Sequence, residues 1–263
     1  MTSRPFKQVD VFTATPYFGN PLAVVLDGQG LSDDAMQRFA HWTNLSETTF
    51  VLPATAAAKA AGADYRVRIF TPGGELPFAG HPTLGTCHAW LQAGGTPRNA
   101  GLIVQECQVG LVTLRREGAR LAFAAPALKR SAPGPALLAQ VAGAMGLKAA
   151  QIVAAQVLDN GPVWLGLLLD NVDSVLQLQP NHLELKNLGV KAGVAALTQA
   201  SPGGSLIARS NREARAFGTH RSAPDQPDRE AGPDLEVRAF AAPIGVHEDP
   251  VTGSFNASLA QWL

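Results

Sequence analysis

The chain has 263 residues, of which 46% are hydrophobic and 16% are charged, and its 21 basic side chains balance 21 acidic ones. This composition is typical of a globular protein, and a net charge of zero leaves no basic surface for a nucleic-acid backbone or an anionic membrane. The sequence shows no signal peptide and no apolar run long enough to cross a membrane, so we expect a cytoplasmic protein with neither nucleic acid nor membrane as a partner.

Strands dominate the elements predicted for the first half of the chain. Patterns that alternate between apolar and polar residues, or are wholly apolar, occur at 6–12, 22–26, 48–52, 65–70 and within 102–123. A helix is expected between the second and third of these strands, with Ser32 as its N-cap and its end near Thr43. A second helix is expected from Pro82 to about Gln92, because proline fits the first helical position. The alanine-rich stretch 54–63 is interpreted as a surface connection.

A proline-rich stretch at 126–135 is the predicted domain boundary, which gives domains at 1–125 and 126–263. The second half is predicted to repeat the order of the first, with elements at 136–145 (helix), 151–159, 163–169 and 205–208 (strands), 172–188 (helical turns) and 250–262 (helix). The polar stretch 209–234 is interpreted as a mobile solvated loop, with a functional lid as the alternative.

One sequence template occurs twice. Val67-Arg-Ile-Phe leads to His81-Pro82-Thr83-Leu84-Gly85-Thr86, and Val237-Arg-Ala-Phe leads to Asp249-Pro250-Val251-Thr252-Gly253-Ser254. In each copy a strand enters a loop and a proline opens a helix, so an internal repeat explains the pattern better than chance punctuation does. Backbone N–H groups at such helix N-termini bind anions. We therefore expect the two helix starts to hold a small molecule that carries a carboxylate.

Three ionisable side chains break the symmetry of this repeat: Glu47, His81 and Asp249. A carboxylate flanked by the apolar Leu45 and Phe50 is expected to be partly desolvated, which raises the pKa of a carboxyl group and suits it to proton transfer near neutral pH. Each residue also has a structural interpretation. Glu47 fits a surface position before a strand, His81 a cap or packing residue, and Asp249 an N-cap.

Four motifs follow one another in the order that a known protein family shows. They are Phe18-Gly-Asn-Pro-Leu-Ala-Val-Val, Asn44-Leu-Ser-Glu-Thr-Thr-Phe-Val, Ile69-Phe-Thr-Pro-Gly-Gly-Glu-Leu-Pro-Phe-Ala-Gly-His-Pro-Thr-Leu-Gly-Thr and Glu248-Asp-Pro-Val-Thr-Gly-Ser. They resemble the phenazine-biosynthesis PhzF-like proteins. The resemblance implies an α+β fold of the diaminopimelate epimerase type, in which two pseudo-repeated domains each wrap a mixed, barrel-like sheet around a central helix. The active site would then lie in the cleft between the domains, and the second domain is expected to be shortened at its end.

The same resemblance implies a cofactor-independent isomerase that moves a proton on a small carboxylic acid, with no metal and no organic cofactor. The implied general acid and base is Glu47, and the other implied catalytic residues are His81 and Asp249. The residues implied to bind the substrate are Asn20, Gly80, Gly253 and Ser254. Phe255, which stands where the family usually has alanine, is expected to add bulk near the pocket. Relatives are commonly dimers, so a homodimer is expected.

Two other functions remain compatible with these motifs, and the first is an amino-acid racemase or epimerase. Racemases of this fold use one cysteine at each helix start, whereas the corresponding positions here are expected near Ala79 and Pro250, which cannot ionise. Cys87 and Cys107 match no metal or redox spacing and are expected to pack as small apolar residues in a helix and a strand. The second alternative is a non-catalytic binding protein that keeps the cleft.

Overall fold

A computed structural model describes residues 3–198 and 235–263 of the chain. The chain divides into two compact units, Met1–Ala124 and Ala125–Leu263, and each unit combines a mixed β-sheet with helices. The predicted α+β class is therefore confirmed. The loop and the alternative lid predicted at 209–234, and the strand predicted at 205–208, lie outside the described residues. No helix in the described part of the chain is long and apolar enough to cross a membrane.

The first unit is built on one sheet and three helices within its described residues. The strands are β1 (Phe6–Val11), β2 (Asn20–Val25), β3 (Thr48–Leu52), β4 (Tyr65–Thr71), β5 (Gly74–Leu76), β6 (Leu102–Cys107), β7 (Gly110–Glu117) and β8 (Arg120–Phe123). The helices are α1 (Asp33–Thr43), α2 (Ala56–Ala60) and α3 (Gly80–Gln92). The sheet order is β1-β2-β3-β4-β6-β7-β8, with β5 paired to β4.

Helix α3 forms the centre of the first unit. It packs against β1, β2, β3, β4, β6 and β8, and most of its residues are buried. Gly85 marks the closest approach, because an added Cβ would lie 2.7 Å from the side chain of Leu22 and 2.8 Å from that of Val11. The sheet therefore wraps around a central helix, as the resemblance implied.

The second unit has a five-stranded sheet within its described residues. The strands are β9 (Lys129–Ser131), β10 (Ile152–Asp159), β11 (Val163–Leu169), β12 (Ala192–Leu197) and β13 (Leu235–Phe240). The helices are α4 (Pro135–Met145), α5 (Val172–Leu176), α6 (His182–Leu188) and α7 (Gly253–Trp262), and short 3-10 helices lie at Ala149–Gln151 and Ala242–Ile244. The sheet order is β13-β12-β11-β10-β9.

The two units repeat one strand topology. In the first unit β1 and β2 are antiparallel, β2 and β3 are parallel, and β3 and β4 are antiparallel. Strands β10 to β13 pair in the same sequence of directions. A long helix follows the fourth strand in each case, α3 in one unit and α7 in the other. The strand in the place of β3 is β12, at residues where the sequence predicted no strand.

Both predicted starts of these two helices are wrong by a few residues. Helix α3 begins at Gly80, so Pro82 is its third residue. An N–H at this position has no hydrogen-bond partner within the helix, so the N–H that proline lacks is not needed there. Helix α7 begins at Gly253 because the backbone turns before it, with the N-cap Thr252 in the left-handed region at φ 34°. The sequence also missed α2, which forms within the alanine-rich connection.

Phe255 fills the core of the second unit. Its side chain is fully buried, and its ring lies where Gly193 has no side chain, since a Cβ on that glycine would be 2.2 Å from the ring. The ring also contacts Trp164, with ring centroids 5.5 Å apart. The expectation that Phe255 adds bulk near a pocket is therefore wrong, because the strands accommodate the ring within the hydrophobic core.

Candidate active site

The predicted site residues form two groups, one at the start of α3 and one at the start of α7. The helix starts correspond residue by residue: the N-caps are Ala79 and Thr252, a glycine follows each, and His81 and Ser254 come next. The predicted pairing of Pro82 with Pro250 is thus out of register. The counterpart of His81 is Ser254, and Asp249 lies before the second helix.

Glu47 and His81 lie in direct contact. Glu47 immediately precedes β3, and its Oε2 is 3.3 Å from Nε2 of His81. The side chains are 17% and 9% exposed respectively, so the carboxylate is mostly buried rather than on the surface. The two side chains are therefore close enough for a direct electrostatic interaction.

Asn20 sets the orientation of the imidazole from the opposite side. Its Nδ2 lies 3.3 Å from Nδ1 of His81, and its Oδ1 accepts a hydrogen bond of 3.3 Å from the hydroxyl of Ser46. Because an amide nitrogen can only donate, Nδ1 must be the acceptor and the ring proton is assigned to Nε2. The hydrogen-bonded chain therefore holds the ring so that its Nε2 lies beside Glu47.

Two local features place Glu47 opposite the start of α3. Asn44, the C-cap of α1, adopts a left-handed conformation with φ 53°, which ends the helix and turns the chain towards β3. The buried hydroxyl of Thr86 in α3 donates to the hydroxyl of Thr49 in β3, at 2.8 Å. This bond fixes the helix against the strand, and with them the spacing between His81 and Glu47.

The start of α3 also favours an anion. Thr83 makes the first intrahelical bond, to the carbonyl of Ala79, and Pro82 has no N–H to contribute. The N–H groups of Gly80 and His81 therefore precede the helical hydrogen bonds at the positive end of the helix dipole. A side chain at position 80 would crowd Phe123, since an added Cβ would lie 3.3 Å from its ring.

In the second unit Asp249 fixes the turn that precedes α7. Its Oδ1 accepts backbone N–H bonds from Val251 at 3.2 Å and Thr252 at 3.1 Å, and its carbonyl accepts the hydroxyl of Thr252 at 2.9 Å. These bonds hold a β-branched residue at positive φ, which is unfavourable without such support. The interpretation of Asp249 as an N-cap is wrong, because Thr252 is the N-cap and Asp249 stabilises the turn.

Ser254 is held by two residues that sequence reasoning missed. Its hydroxyl oxygen accepts a 3.0 Å hydrogen bond from the indole Nε1–H of Trp164 in β11, and its backbone carbonyl accepts one of 3.0 Å from Asn160. Both partners lie about the β10–β11 hairpin, 90 and 94 residues away in sequence. Gly253, at the first position of α7, is exposed.

The arginine of the repeated Val-Arg-x-Phe motif has the same role in both units. Nε and Nη2 of Arg68 donate to the two carboxylate oxygens of Glu75 at 2.7 and 2.6 Å. The same atoms of Arg238 donate to Glu248 at 2.7 and 2.9 Å. Bidentate pairs of this kind have a fixed geometry. Each pair therefore anchors the loop that leads from the fourth strand of the repeat to its helix.

The cysteines occupy neither helix start, where Ala79 and Thr252 are the N-caps. Cys87 lies inside α3 and Cys107 at the end of β6, and both are buried free thiols, as the sequence predicted. Burial raises the pKa of the Cys87 thiol to about 11 and also raises that of Cys107. Across residues 3–198 and 235–263, no cluster of three or more His, Cys, Asp or Glu side chains is placed to hold a metal ion.

Comparison with known proteins gives consistent matches. The family model described as "Phenazine biosynthesis-like protein" (PhzC-PhzF) matches residues 9–263. The chain is 38% identical over 264 residues to the Schizosaccharomyces pombe protein named antisense-enhancing sequence 1, covering 97% of this chain and 78% of that protein. It is 35% identical over 182 residues to the trans-2,3-dihydro-3-hydroxyanthranilate isomerase of Pseudomonas fluorescens, covering 68% of this chain and 62% of that enzyme.

Among solved structures, the fold is similar to that of a PhzF-family phenazine biosynthesis protein from Bacillus anthracis. The TM-score is 0.77 at 22% sequence identity, and the match covers 100% of this chain and 80% of that one.

Proposed function

The chain belongs to the phenazine biosynthesis-like PhzC-PhzF family, and from this premise we propose that Glu47 moves a proton on a small carboxylic acid without a cofactor. The predicted family and the predicted diaminopimelate epimerase-like fold are both confirmed by the comparisons. Curated relatives are named isomerases, which confirms an isomerase as the class of activity. The assignment of the reaction to one glutamate is our own.

The observation that carries the proposal is the contact between Glu47 and His81. A mostly buried carboxylate is a suitable base because it is shielded from water, and the imidazole nitrogen 3.3 Å away lies at the start of α3, where the substrate is proposed to bind. Glu47 would take a proton from a carbon next to an unsaturated system, the electron pair would shift along that system, and the carboxyl group would return the proton at its other end. The product is an isomer, and no other reactant is consumed.

The substrate is proposed to be a small cyclic, unsaturated carboxylic acid. The name of the P. fluorescens relative denotes a dihydrohydroxyanthranilate, which is a molecule of this class. The N–H groups of Gly80 and His81 at the positive end of α3 suit its carboxylate. The same proposal assigns a catalytic role to Asp249 and substrate binding to Asn20, Gly253 and Ser254. An active site in a cleft, a homodimer and a cytoplasmic location stay predictions.

The geometry argues against a racemase that uses two thiols. Such a mechanism needs an ionisable thiol at each helix start, and the chain has Ala79 and Thr252 there. The only described thiols, Cys87 and Cys107, are buried, and burial disfavours their ionised form.

The proposal is tested by incubating the protein with cyclic and acyclic unsaturated carboxylic acids in deuterated water, beginning with trans-2,3-dihydro-3-hydroxyanthranilate. Carbon-bound deuterium is followed by mass spectrometry. We expect incorporation into at least one cyclic acid, and the same rate in Glu117→Gln, which removes an exposed carboxylate. Absence of incorporation across the panel, with a carboxylic acid still raising Tm, would refute the isomerase mechanism and favour a binding protein.

A further inference from the structure

Trp164 is placed to determine which way the hydroxyl of Ser254 can donate. The indole is 3% exposed, and its Nε1–H donates to the hydroxyl oxygen at 3.0 Å. Its ring is fixed by neighbours on other elements: Phe255 of α7 lies 5.5 Å away between centroids, and Nζ of Lys191 lies 5.6 Å from the ring centre. An indole N–H can only donate, so this contact has one possible direction.

The hydroxyl group of Ser254 has one proton to donate and two lone pairs that can accept. One lone pair accepts the Trp164 proton, which leaves the hydroxyl proton to be donated elsewhere. Within the described residues no side chain or carbonyl accepts that proton. Hydrogen bonds in such a chain also strengthen one another, because a hydroxyl that accepts a bond becomes a better donor. Ser254 is thereby prepared to donate to an anion.

A second anchor holds the backbone of Ser254. Asn160 is 7% exposed, and its Nδ2 donates to the Ser254 carbonyl at 3.0 Å. Both anchors come from the β10–β11 hairpin, the counterpart of the β1–β2 hairpin that supplies Asn20 to His81. In each unit, the second residue of the helix is therefore oriented by the corresponding hairpin. Asn20 orients His81 in the first unit, and Trp164 and Asn160 orient Ser254 in the second.

We infer that Trp164 is a positioning residue that holds the hydroxyl of Ser254 as a hydrogen-bond donor to the substrate carboxylate. This inference rests on the proposed role of Ser254 in substrate binding. Trp164 acts through Ser254, so its effect must disappear when the hydroxyl is absent. That requirement distinguishes positioning from a general contribution to folding.

The first test is a double-mutant cycle with anthranilate as the probe, measured by isothermal titration calorimetry. We expect Ser254→Ala to weaken anthranilate binding about 10- to 100-fold, since a hydrogen bond to a charged group is lost. Trp164→Phe keeps an aromatic ring but removes the N–H. Its Kd for anthranilate should lie within about threefold of the Kd of Ser254→Ala. The double variant should bind no more weakly than Ser254→Ala alone.

A second measurement requires only that Ser254→Ala folds. The chain has four tryptophans, so the indole N–H region of a ¹⁵N spectrum contains few signals. The Trp164 signal is the one that is absent in Trp164→Phe. If that variant does not fold, the Trp164 signal is the one that remains after the other three tryptophans are replaced. We expect this signal to move in Ser254→Ala and on adding anthranilate to the wild type. The signal of Trp42, which is 78% exposed, should stay in place in both experiments.

Each outcome decides the inference. Normal anthranilate affinity in Trp164→Phe, additive losses in the double variant, a Trp164 signal indifferent to Ser254→Ala, or no binding of anthranilate to the wild type would overturn it. Coupled losses in the cycle, without isomerase activity in the wild type, would refute the proposed function and leave this inference standing. Deuterium incorporation with additive losses would refute only the inference.

Discussion

His81 and Ser254 occupy the same position in the two units, as the second residue of the helix that follows the fourth strand of the repeat. Each is oriented by the unit's first hairpin, His81 by Asn20 and Ser254 by Trp164. The equivalent positions carry different chemistry, however, since one is an imidazole in contact with Glu47 and the other is a hydroxyl. This asymmetry favours a single proton-transferring carboxylate over a pair of matched bases.

Asn20 is expected to matter for rate through His81. Asn20→Ala removes the donor to Nδ1, so the ring proton and the ring plane are no longer fixed, and we expect deuterium incorporation to slow about 100-fold. Asn171→Ala is the control, because it removes the N-cap of α5 in the other unit and should lower stability without lowering the rate. Equal rates in Asn20→Ala and the wild type would contradict this role.

The thiols are expected to be dispensable. Because burial raises the pKa of Cys87 to about 11 and shields both cysteines, iodoacetamide at pH 8 should leave the folded protein unmodified and active. The urea-unfolded protein should gain two adducts by mass spectrometry, which confirms that the reagent is effective. Alkylation of the folded protein in step with loss of turnover would instead support a mechanism that depends on a thiol.

The packing of Phe255 predicts a large contribution to stability. Phe255→Ala should lower the free energy of unfolding by about 3–5 kcal/mol, because β11 and β12 cannot close over the vacated volume beside Gly166 and Gly193. Urea denaturation measures the change. Tyr17→Ala, at a side chain 96% exposed, should shift the value by less than about 0.5 kcal/mol. A loss below about 1 kcal/mol in Phe255→Ala would contradict the buried position.

A pair of stacked imidazoles predicts pH-dependent stability. His182 lies 4.6 Å from His247 between ring centroids, and the pKa of His182 is lowered by desolvation and then by His247, with Glu248 opposing and Arg238 adding to the decrease. Below the ordinary pKa of about 6.5 the unfolded chain binds more protons than the folded one, so this contribution to stability is present above that pH and is lost below it.

We therefore expect Tm to fall more steeply in the wild type than in His182→Gln as the pH is lowered from 8 to 5.5. Differential scanning fluorimetry across this range gives the comparison. The exposed His41 provides the matched control, His41→Gln, which should keep the wild-type slope. Parallel slopes for all three proteins would rule out His182 as the source of the pH dependence.

Much of the architecture was readable from sequence because local chemistry determines it. Ser32 caps α1 as predicted, with its hydroxyl oxygen accepting the N–H of Ala35, and the repeated Val-Arg-x-Phe motif marks equivalent strands. The start of α3 was misplaced because proline fits any position in the first turn of a helix, and the start of α7 was misplaced because Pro250 lies before that helix. Nothing in the local pattern reveals that Asp249 holds Thr252 in a left-handed turn before the helix.

The candidate site was readable only in part. Glu47, His81 and Asn20 were identified from motifs, and the structure brings their side chains together. No sequence pattern identified Trp164 or Asn160 as part of the site. Their contacts with Ser254 depend on how a hairpin packs against a helix some 90 residues later. Long-range packing of this kind follows from the tertiary fold and has no local sequence pattern.

The central claim, that Glu47 alone carries the proton, is tested most directly by the deuterium incorporation rate of Glu47→Gln on a substrate that the wild type labels. The amide keeps the shape of the side chain and cannot exchange a proton as a carboxylate does. We predict that incorporation falls at least about 1,000-fold while the substrate Kd stays within a fewfold of the wild-type value. Incorporation at the wild-type rate would show that another group moves the proton and would contradict the account.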